Sequence, residues 1–160
     1  MAVKSNKKEA KTAAPIDNRR ARYDFAFLED FEAGIVLVGS EVKSVFHGRA
    51  HLTDAFCRVI NSELFLINFD IEPYEQAGIF GHDRRRDRKL LMHRKQIEVL
   101  DRRSKEKGLT IVPTRVYFNQ RGKVKVRIAL ARGKAEYDKR QKIAEDETRR
   151  EIERARALTR

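Results

Sequence analysis

Between Lys123 and Ala131, the aliphatic residues Val124, Val126, Ile128 and Leu130 alternate with Lys125, Arg127 and Ala129. Successive side chains of a strand point to opposite faces, so this period of two predicts a strand with one face in a core and the other in water. A second strand, Leu109 to Phe118, precedes it across Asn119-Gln120-Arg121-Gly122. Upstream, Ala55 to Ile60 and Glu63 to Ile71 flank Asn61-Ser62, the pattern of a hairpin, and Pro73 ends its second strand because it has no N–H to give to a ladder.

The remaining elements fit around these strands. Tyr23, Phe25 and Phe27 alternate with Asp24 and Ala26 as in a half-buried strand, although Leu28 and Phe31 also allow helical spacing. Gly34 opens the β-branched run Ile35 to Val38, read as a buried strand. Ser40 to Phe46 reads as a short helix ended near Gly48. Residues 75 to 89, with Gly78, Gly81 and the arginine-rich run to Lys89, read as an exposed loop. Leu90, Leu91, Ile97 and Leu100 fit one face of a helix reaching about Lys107, with Gly108 after it. About six strands joined mainly by turns, with a few short helices, predict a mainly β fold: a small antiparallel barrel.

Two segments lack the means to build a core. Residues 1–17 are dominated by Lys, Ala, Ser and Asn and are expected to be a disordered basic arm. Residues 132–160 carry ten basic and seven acidic side chains, with Ile143, Ile152 and Leu158 as the only large aliphatics. That is helix-forming composition without a continuous apolar stripe, so the tail is expected to be disordered when free and helical on a partner. The folded domain is thus expected over residues 18–131.

Charge narrows the function. Lysine and arginine number 36 against 24 acidic residues, a net charge of +12, which is the footprint of a protein with a polyanionic partner. No run approaches the ~18 apolar residues of a spanning helix, so nucleic acid is favoured over a membrane. The basic residues fall in three groups: the arm with Arg19, Arg20 and Arg22, the loop from Arg84 to Lys89, and the tail. The eight glycines form no phosphate-binding loop, so nucleotide hydrolysis is unsupported. His47 and His51 have the spacing of a helical metal pair, but Gly48 intervenes and further ligands are missing. His82 and His93 lie in basic surroundings, where a nuclease would need an acid–base pair, yet no spacing points to one. The lone Cys57 reads as a small core residue. Tyr117 and Phe118 are read as core aromatics, with base stacking the other use of such rings. The chain is expected to be a cytoplasmic RNA binder, not an enzyme, with no metal and no cofactor.

Several segments, taken in order, are similar to one family. They are Asn18-Arg19-Arg20-Ala21-Arg22, Phe31-Glu32-Ala33-Gly34-Ile35, Gly39-Ser40-Glu41-Val42-Lys43-Ser44, Pro73-Tyr74-Glu75, Arg88-Lys89-Leu90-Leu91, Gly108-Leu109-Thr110, and Ala129 to Lys134 followed by Tyr137-Asp138-Lys139-Arg140. The set resembles the SsrA-binding protein family, also called small protein B, over roughly residues 18–140. The resemblance implies an oligonucleotide-binding (OB)-type barrel that binds the tRNA-like domain of transfer-messenger RNA and works in trans-translation, where stalled ribosomes are rescued and nascent chains tagged. It implies that the barrel stands in for the anticodon arm, and that the tail enters the empty messenger-RNA channel of the small ribosomal subunit. Translation elongation factor and alanyl-tRNA synthetase are implied as partners through the RNA.

By the same resemblance, Asn18, Arg19, Arg20, Arg22, Glu32, Glu41, Lys43, Lys89 and Leu91 fall at RNA-gripping positions. Gly133, Lys134, Tyr137, Lys139 and Arg140 fall on the ribosome-binding tail. The bare side chains leave alternatives open: Glu32 and Glu41 can accept from base or 2′-hydroxyl donors or can serve as caps and ion pairs, and Leu91 can pack on a base or in the core. Val45 and Phe46 depart from the leucine-arginine pair frequent in the family at this point, and Glu136 dilutes the charge beside Tyr137.

Overall fold

The computed structural model describes residues 13–106 and 108–158, apart from the side chains of Phe80, Glu136 and Tyr137. In chain order the elements are β1 (Ile16–Asp17), α1 (Arg19–Asp24), β2 (Phe25–Ile35), α2 (Gly39–Phe46), β3 (Ala50–His51), β4 (Phe56–Ile60), β5 (Glu63–Ile67), β6 (Asp70–Ile71), a 3-10 segment (Glu75–Phe80), β7 (Arg88–Leu91), α3 (Arg94–Ser104), β8 (Leu109–Phe118), β9 (Val124–Gly133) and α4 (Glu136–Leu158). The main sheet runs β1-β8-β4-β5-β7-β2-β9, and β9 also pairs with β8. The six strands from β8 through β9 therefore close on themselves, which removes the free edges that an open antiparallel sheet presents to other chains.

Closure sorts the side chains. Val124, Val126, Ile128 and Leu130 of β9 point inward with Ala33, Leu64, Leu66, Leu90, Ile111 and Val116 to form the core, joined by Cys57. Burial pushes the Cys57 thiol pKa up, as expected of a core cysteine. Ile97 and Leu100 of α3 complete that core, while Ala21 of α1 packs with Val112, Ala129 and Ala131 in a smaller cluster. The β4–β5 turn places Asn61 at φ 49° and Ser62 at φ 63°. Both central residues are left-handed, the turn whose twist suits two antiparallel strands.

Several expectations about element bounds need correction. Residues 19–24 are helical, because Asn18 caps α1 and Ala21 is buried beneath it; the aromatic alternation becomes strand only from Phe25. Ile16 and Asp17, placed in the basic arm, pair with Val116 and Arg115, since Ile16 is apolar enough to cover the core; residues 1–12 lie outside the described residues. Leu90 and Leu91 belong to β7 and not to the helix, which starts at Arg94. After Ile35 the β-branched run leaves the sheet, and Val36 and Val38 are exposed.

The arginine run is the largest surprise. Arg88 is fully buried and its Nε donates to Glu41 Oε1 at 2.9 Å. Its Nη1 donates to the carbonyls of Phe69 (2.6 Å) and Arg86 (3.0 Å), and Nη2 to those of Asp83 and Arg84 (both 3.3 Å). Every donor of the guanidinium has an acceptor. Glu41, also fully buried, takes two further bonds from Arg86, at 2.8 and 2.6 Å, and one from the Val38 N–H at 2.9 Å. Arg84 and Arg85 close on Asp70. The expected exposed basic loop is thus folded around two carboxylates, which need those cations to be burial-tolerant.

Residues 136–158 of the tail, expected from sequence to be helix-forming, make one continuous helix, α4. Its base is tied down: Lys134 N–H donates to the Asp24 carbonyl (2.9 Å), Lys139 Nζ lies 3.4 Å from Asp24 Oδ1, and Lys142 Nζ donates to the Arg22 carbonyl (3.1 Å). Further along, Ile143, Ile152 and Leu158 are 40, 47 and 87% exposed. The apolar stripe the sequence lacked is lacking in space, and polar helix formers with a tethered first turn carry the helix.

Burial alone would raise the pKa of Glu41, but the bonds from Arg86, Val38 and Arg88 together with the Arg88 charge leave it below the ordinary carboxylate value. Asp70 is held low by its bond from Arg84 and by the charges of Arg84 and Arg85. A carboxylate whose folded pKa is depressed contributes stability above its unfolded pKa and loses it as pH falls through the folded one. Urea-unfolding stability should therefore be flat from about pH 5 to 7 and drop on further acidification. Glu41→Gln should remove roughly 3–5 kcal/mol at pH 7, because it leaves Arg88 buried without its counter-ion, and should flatten the acid slope.

Candidate nucleic-acid interface

The register of β2, β7, β8 and β9 sets one outward face. Glu32 pairs with Arg127, and Arg127 pairs with Arg115 on β8. One step along, Leu91 pairs with Gly34, Gly34 with Lys125, and Lys125 with Tyr117. Directly opposed residues share a face, so two rows run side by side across the barrel wall: Arg115, Arg127, Glu32 and Tyr117, Lys125, Gly34, Leu91. Their inward neighbours Ala33, Leu90, Val116 and Val126 are buried.

Leu91 stands out of this face with 52% of its surface in water. A Cβ added at Gly34 would lie 3.3 Å from the Leu91 Cβ, so the glycine lets the two strands meet without displacing that side chain. Beside Leu91 a groove of about 420 Å3 is lined by Ile35, Leu37, Val42, Lys123 and Lys125. Glu32 accepts from the Tyr117 hydroxyl, and desolvation, followed by that bond and the carboxylate charge, raises the Tyr117 pKa. The face thus combines an exposed aliphatic knob, a flat ring, three cations and two carboxylates, since Asp17 of β1 opposes Arg115 and accepts from its Nε at 2.6 Å, a set able to meet sugar, phosphate and base edges.

The sequence-derived residues divide sharply. Glu32 and Leu91 are on this face. Arg19, Arg20 and Arg22 ride on α1; Arg20 pairs with Asp24 and Asp54 at 3.4 and 3.1 Å, and Arg22 lies 3.7 Å from Asp17. Lys89 Nζ pairs with Glu63 at 2.6 Å, and Lys43 lies over the Tyr74 ring at 5.2 Å from its centroid. Gly133 ends β9 opposite Phe25, and Lys134 Nζ donates to the Arg22 carbonyl at 3.1 Å. Burial, then the neighbouring Lys142 charge, holds the Lys134 pKa below the ordinary lysine value. Lys139 joins Asp24, Arg140 is exposed on α4, and the Tyr137 side chain lies outside the described residues.

Two of the sequence-derived residues have internal work instead. The Asn18 side chain is buried: its amide donates to the carbonyls of Leu52 (3.1 Å) and Pro113 (2.9 Å), and its oxygen accepts from Ala21 N–H (3.0 Å). Glu41 is sealed under Arg86 and Arg88. Neither offers a free polar group to a ligand in this conformation. His82 is engaged at both ring nitrogens, by Ser40 Oγ (2.9 Å) and the Ile71 carbonyl (3.0 Å). His47 and His51 sit on separate elements, His51 near Glu72 at 3.5 Å and His47 against Tyr74. Lys125, Arg127 and Arg115 were not singled out from sequence, although the polar phase of the β9 alternation already put Lys125 and Arg127 on the solvent side.

The family model "SmpB protein" matches residues 15–158. The chain belongs to the SmpB family. Its similarity to the SsrA-binding protein of Symbiobacterium thermophilum is 55% identity over 139 residues, covering 87% of this chain and 88% of that protein. The SsrA-binding protein of Sulfurihydrogenibium sp. is 53% identical over 138 residues, 86% of this chain and 90% of that protein. A solved structure described as "tmRNA-SmpB: a journey to the center of the bacterial ribosome" superposes with a TM-score of 0.67 at 47% identity, covering 78% of this chain and 87% of that one. The chain therefore shares the fold of that structure, and the outward face of its barrel is the candidate interface.

Asn18 joins β1, α1, β8 and the segment at Leu52 through three bonds. Asn18→Ala should lower unfolding stability by roughly 2–4 kcal/mol, the sum of a lost helix cap and two lost buried hydrogen bonds. A urea midpoint unchanged from the parent protein would show that those bonds carry no stability.

Proposed function

We infer that this SmpB-family chain binds transfer-messenger RNA and takes it to stalled ribosomes in trans-translation. The observation that carries the reading is the outward barrel face, where Leu91, Tyr117 and Glu32 stand among Arg115, Lys125 and Arg127, on a chain matched by the family model along nearly its whole length. Cations there neutralise phosphates, while Leu91 and the Tyr117 ring supply the neutral surface on which a splayed nucleotide can rest. The residues 18–131 act as the RNA-binding domain, with Arg19, Arg20 and Arg22 of α1 extending the cationic surface. The barrel fills the place of the anticodon arm.

The tail serves the ribosome. At 1.5 Å per residue, the 23 residues of α4 reach about 35 Å from the barrel, long enough to enter a channel vacated by messenger RNA. Gly133 at the end of β9 is the joint, Lys134, Lys139 and Arg140 meet ribosomal RNA phosphates, and Tyr137 is the tail's ring for stacking on a base. Lys134 and Lys139 are now held by α1, so engagement exchanges a carbonyl and one carboxylate for phosphates. Partners reached through the RNA are elongation factor and alanyl-tRNA synthetase.

A chain ending at Gly133 should bind transfer-messenger RNA within about twofold of the full chain and fail to support tagging of stalled nascent chains. Loss of RNA affinity on this truncation would refute the division of labour. Lys125→Gln and Arg127→Gln should each reduce the slope of log affinity against log salt by about 0.7–0.9, without moving the urea midpoint. Sequencing the RNA that copurifies from cell lysate should return one dominant tRNA-like species; a broad mixture would point to a general RNA chaperone.

A further inference from the structure

A row of aromatic rings lies along α2, outside the face described above. Phe46, the last residue of that helix, is 42% exposed and is the one exposed phenylalanine among those whose side chains are described. Its ring meets Phe118 edge-on, with centroids 5.7 Å apart and planes at 81°, and His47 at 5.6 Å and 88°. His47 lies parallel to Tyr74, at 6.4 Å and 3°, and Lys43 Nζ sits 5.2 Å from the Tyr74 centroid. At the Lys43 end the row borders a cavity of about 560 Å3 lined by Ser40, Lys43, Tyr74, His82 and Arg86, a volume within the range of small-ligand sites.

An edge-to-face contact covers a face of only one ring of the pair, and Phe46 keeps 42% of its surface in water. Phe46 is therefore held in place and left open to water, and it would be better covered. The surroundings say by what. The row has the Lys43 cation at one end and Arg49 following α2 in an exposed pair with Glu75 at 3.4 Å, while Arg86 beyond it is already held by Glu41. A flat π surface carrying negative charge a few ångströms away is the complement, and an unpaired nucleotide has that form. A base within a duplex is already stacked on both sides and gains nothing here.

We propose that the Phe118–Phe46–His47–Tyr74 row is a second RNA-contact site that stacks unpaired bases, with Lys43 receiving the adjoining phosphate. The proposal rests on the reading that the chain binds RNA, and it assigns a distinct place and a distinct chemistry. Because stacking is sequence-tolerant, this site adds affinity and not base identity.

The chain has no tryptophan, so full-length Phe46→Trp carries a single reporter at the row. Titration with short oligoadenylate should quench its emission. Phe46→Ala should weaken oligoadenylate binding about tenfold with an unchanged salt slope, and Lys43→Gln should lower the slope by about 0.7. Unquenched tryptophan at saturating oligonucleotide overturns the proposal, as does wild-type affinity in a folded Phe46→Ala protein. A Phe46→Ala effect confined to a monomer–dimer equilibrium in sedimentation would also overturn it, assigning the row to a protein contact. If Phe46→Ala does not fold, His47→Ala and the Phe46→Trp signal decide. Wild-type binding to transfer-messenger RNA against an unrelated structured RNA is measured in parallel: equal affinities would sink the dedicated-RNA reading, while the oligoadenylate arm judges the row separately.

Discussion

The pairing of Glu41 with Arg88 is the constraint on which the rest of the molecule hangs. Two full charges with no solvent exposure are tolerable only where each lone pair and each N–H finds a partner, and here they do. The pair spans 47 residues of chain and joins α2 to the start of β7. Arg88 also gathers the carbonyls of residues 69, 83, 84 and 86, so it ties down the long connection between β6 and β7 together with Arg84, Arg85, Arg86 and His82. An apolar pair would fill the same volume without collecting those carbonyls. The ionic pair specifies where this connection lies, and with it where β7 enters the sheet and where Leu91 emerges.

From that placement follows a contrast between the two halves of the chain. The barrel is closed, its outward residues are fixed by register, and its candidate interface is as rigid as the strands that carry it. The tail helix is held at its base by polar contacts from Lys134, Lys139 and Lys142. Exposed bonds of that kind are exchanged readily for stronger phosphate contacts. A stiff recognition surface and a weakly moored extension suit two different RNA surroundings in one short protein.

Much of this was legible in the sequence, and the failures have physical causes. The alternation in β8 and β9, the Asn61-Ser62 turn and the Gly48 stop on α2 are local signals, and they appear where they were expected. Leu90 and Leu91 were read as helical because they share a spacing with Ile97 and Leu100; two adjacent leucines fit a strand equally well, one inward and one outward. The α1 helix was masked by an aromatic alternation that begins within it, although Asn18 offered a cap. The role of Arg88 had no local signal, since a guanidinium five residues into a charged run looks solvated until its distant carboxylate is known. Among site residues, family resemblance pointed to Asn18 and Glu41, yet the structure spends both on internal bonds; it could not point to Lys125 and Arg127, which only register brings beside Glu32 and Leu91.

The mooring of α4 on α1 has a mechanical meaning. A rod about 35 Å long turns small angles at its foot into large excursions at its tip: a tilt of about 10° swings the far end by roughly 6 Å, more than a full helical pitch. Asp24 and the Arg22 carbonyl sit at that foot, on the same short helix that carries Arg19 and Arg20. Whatever rocks α1 when the barrel takes up its ligand is magnified along the rod, so the aim of the distal end is set by a few atoms at the hinge.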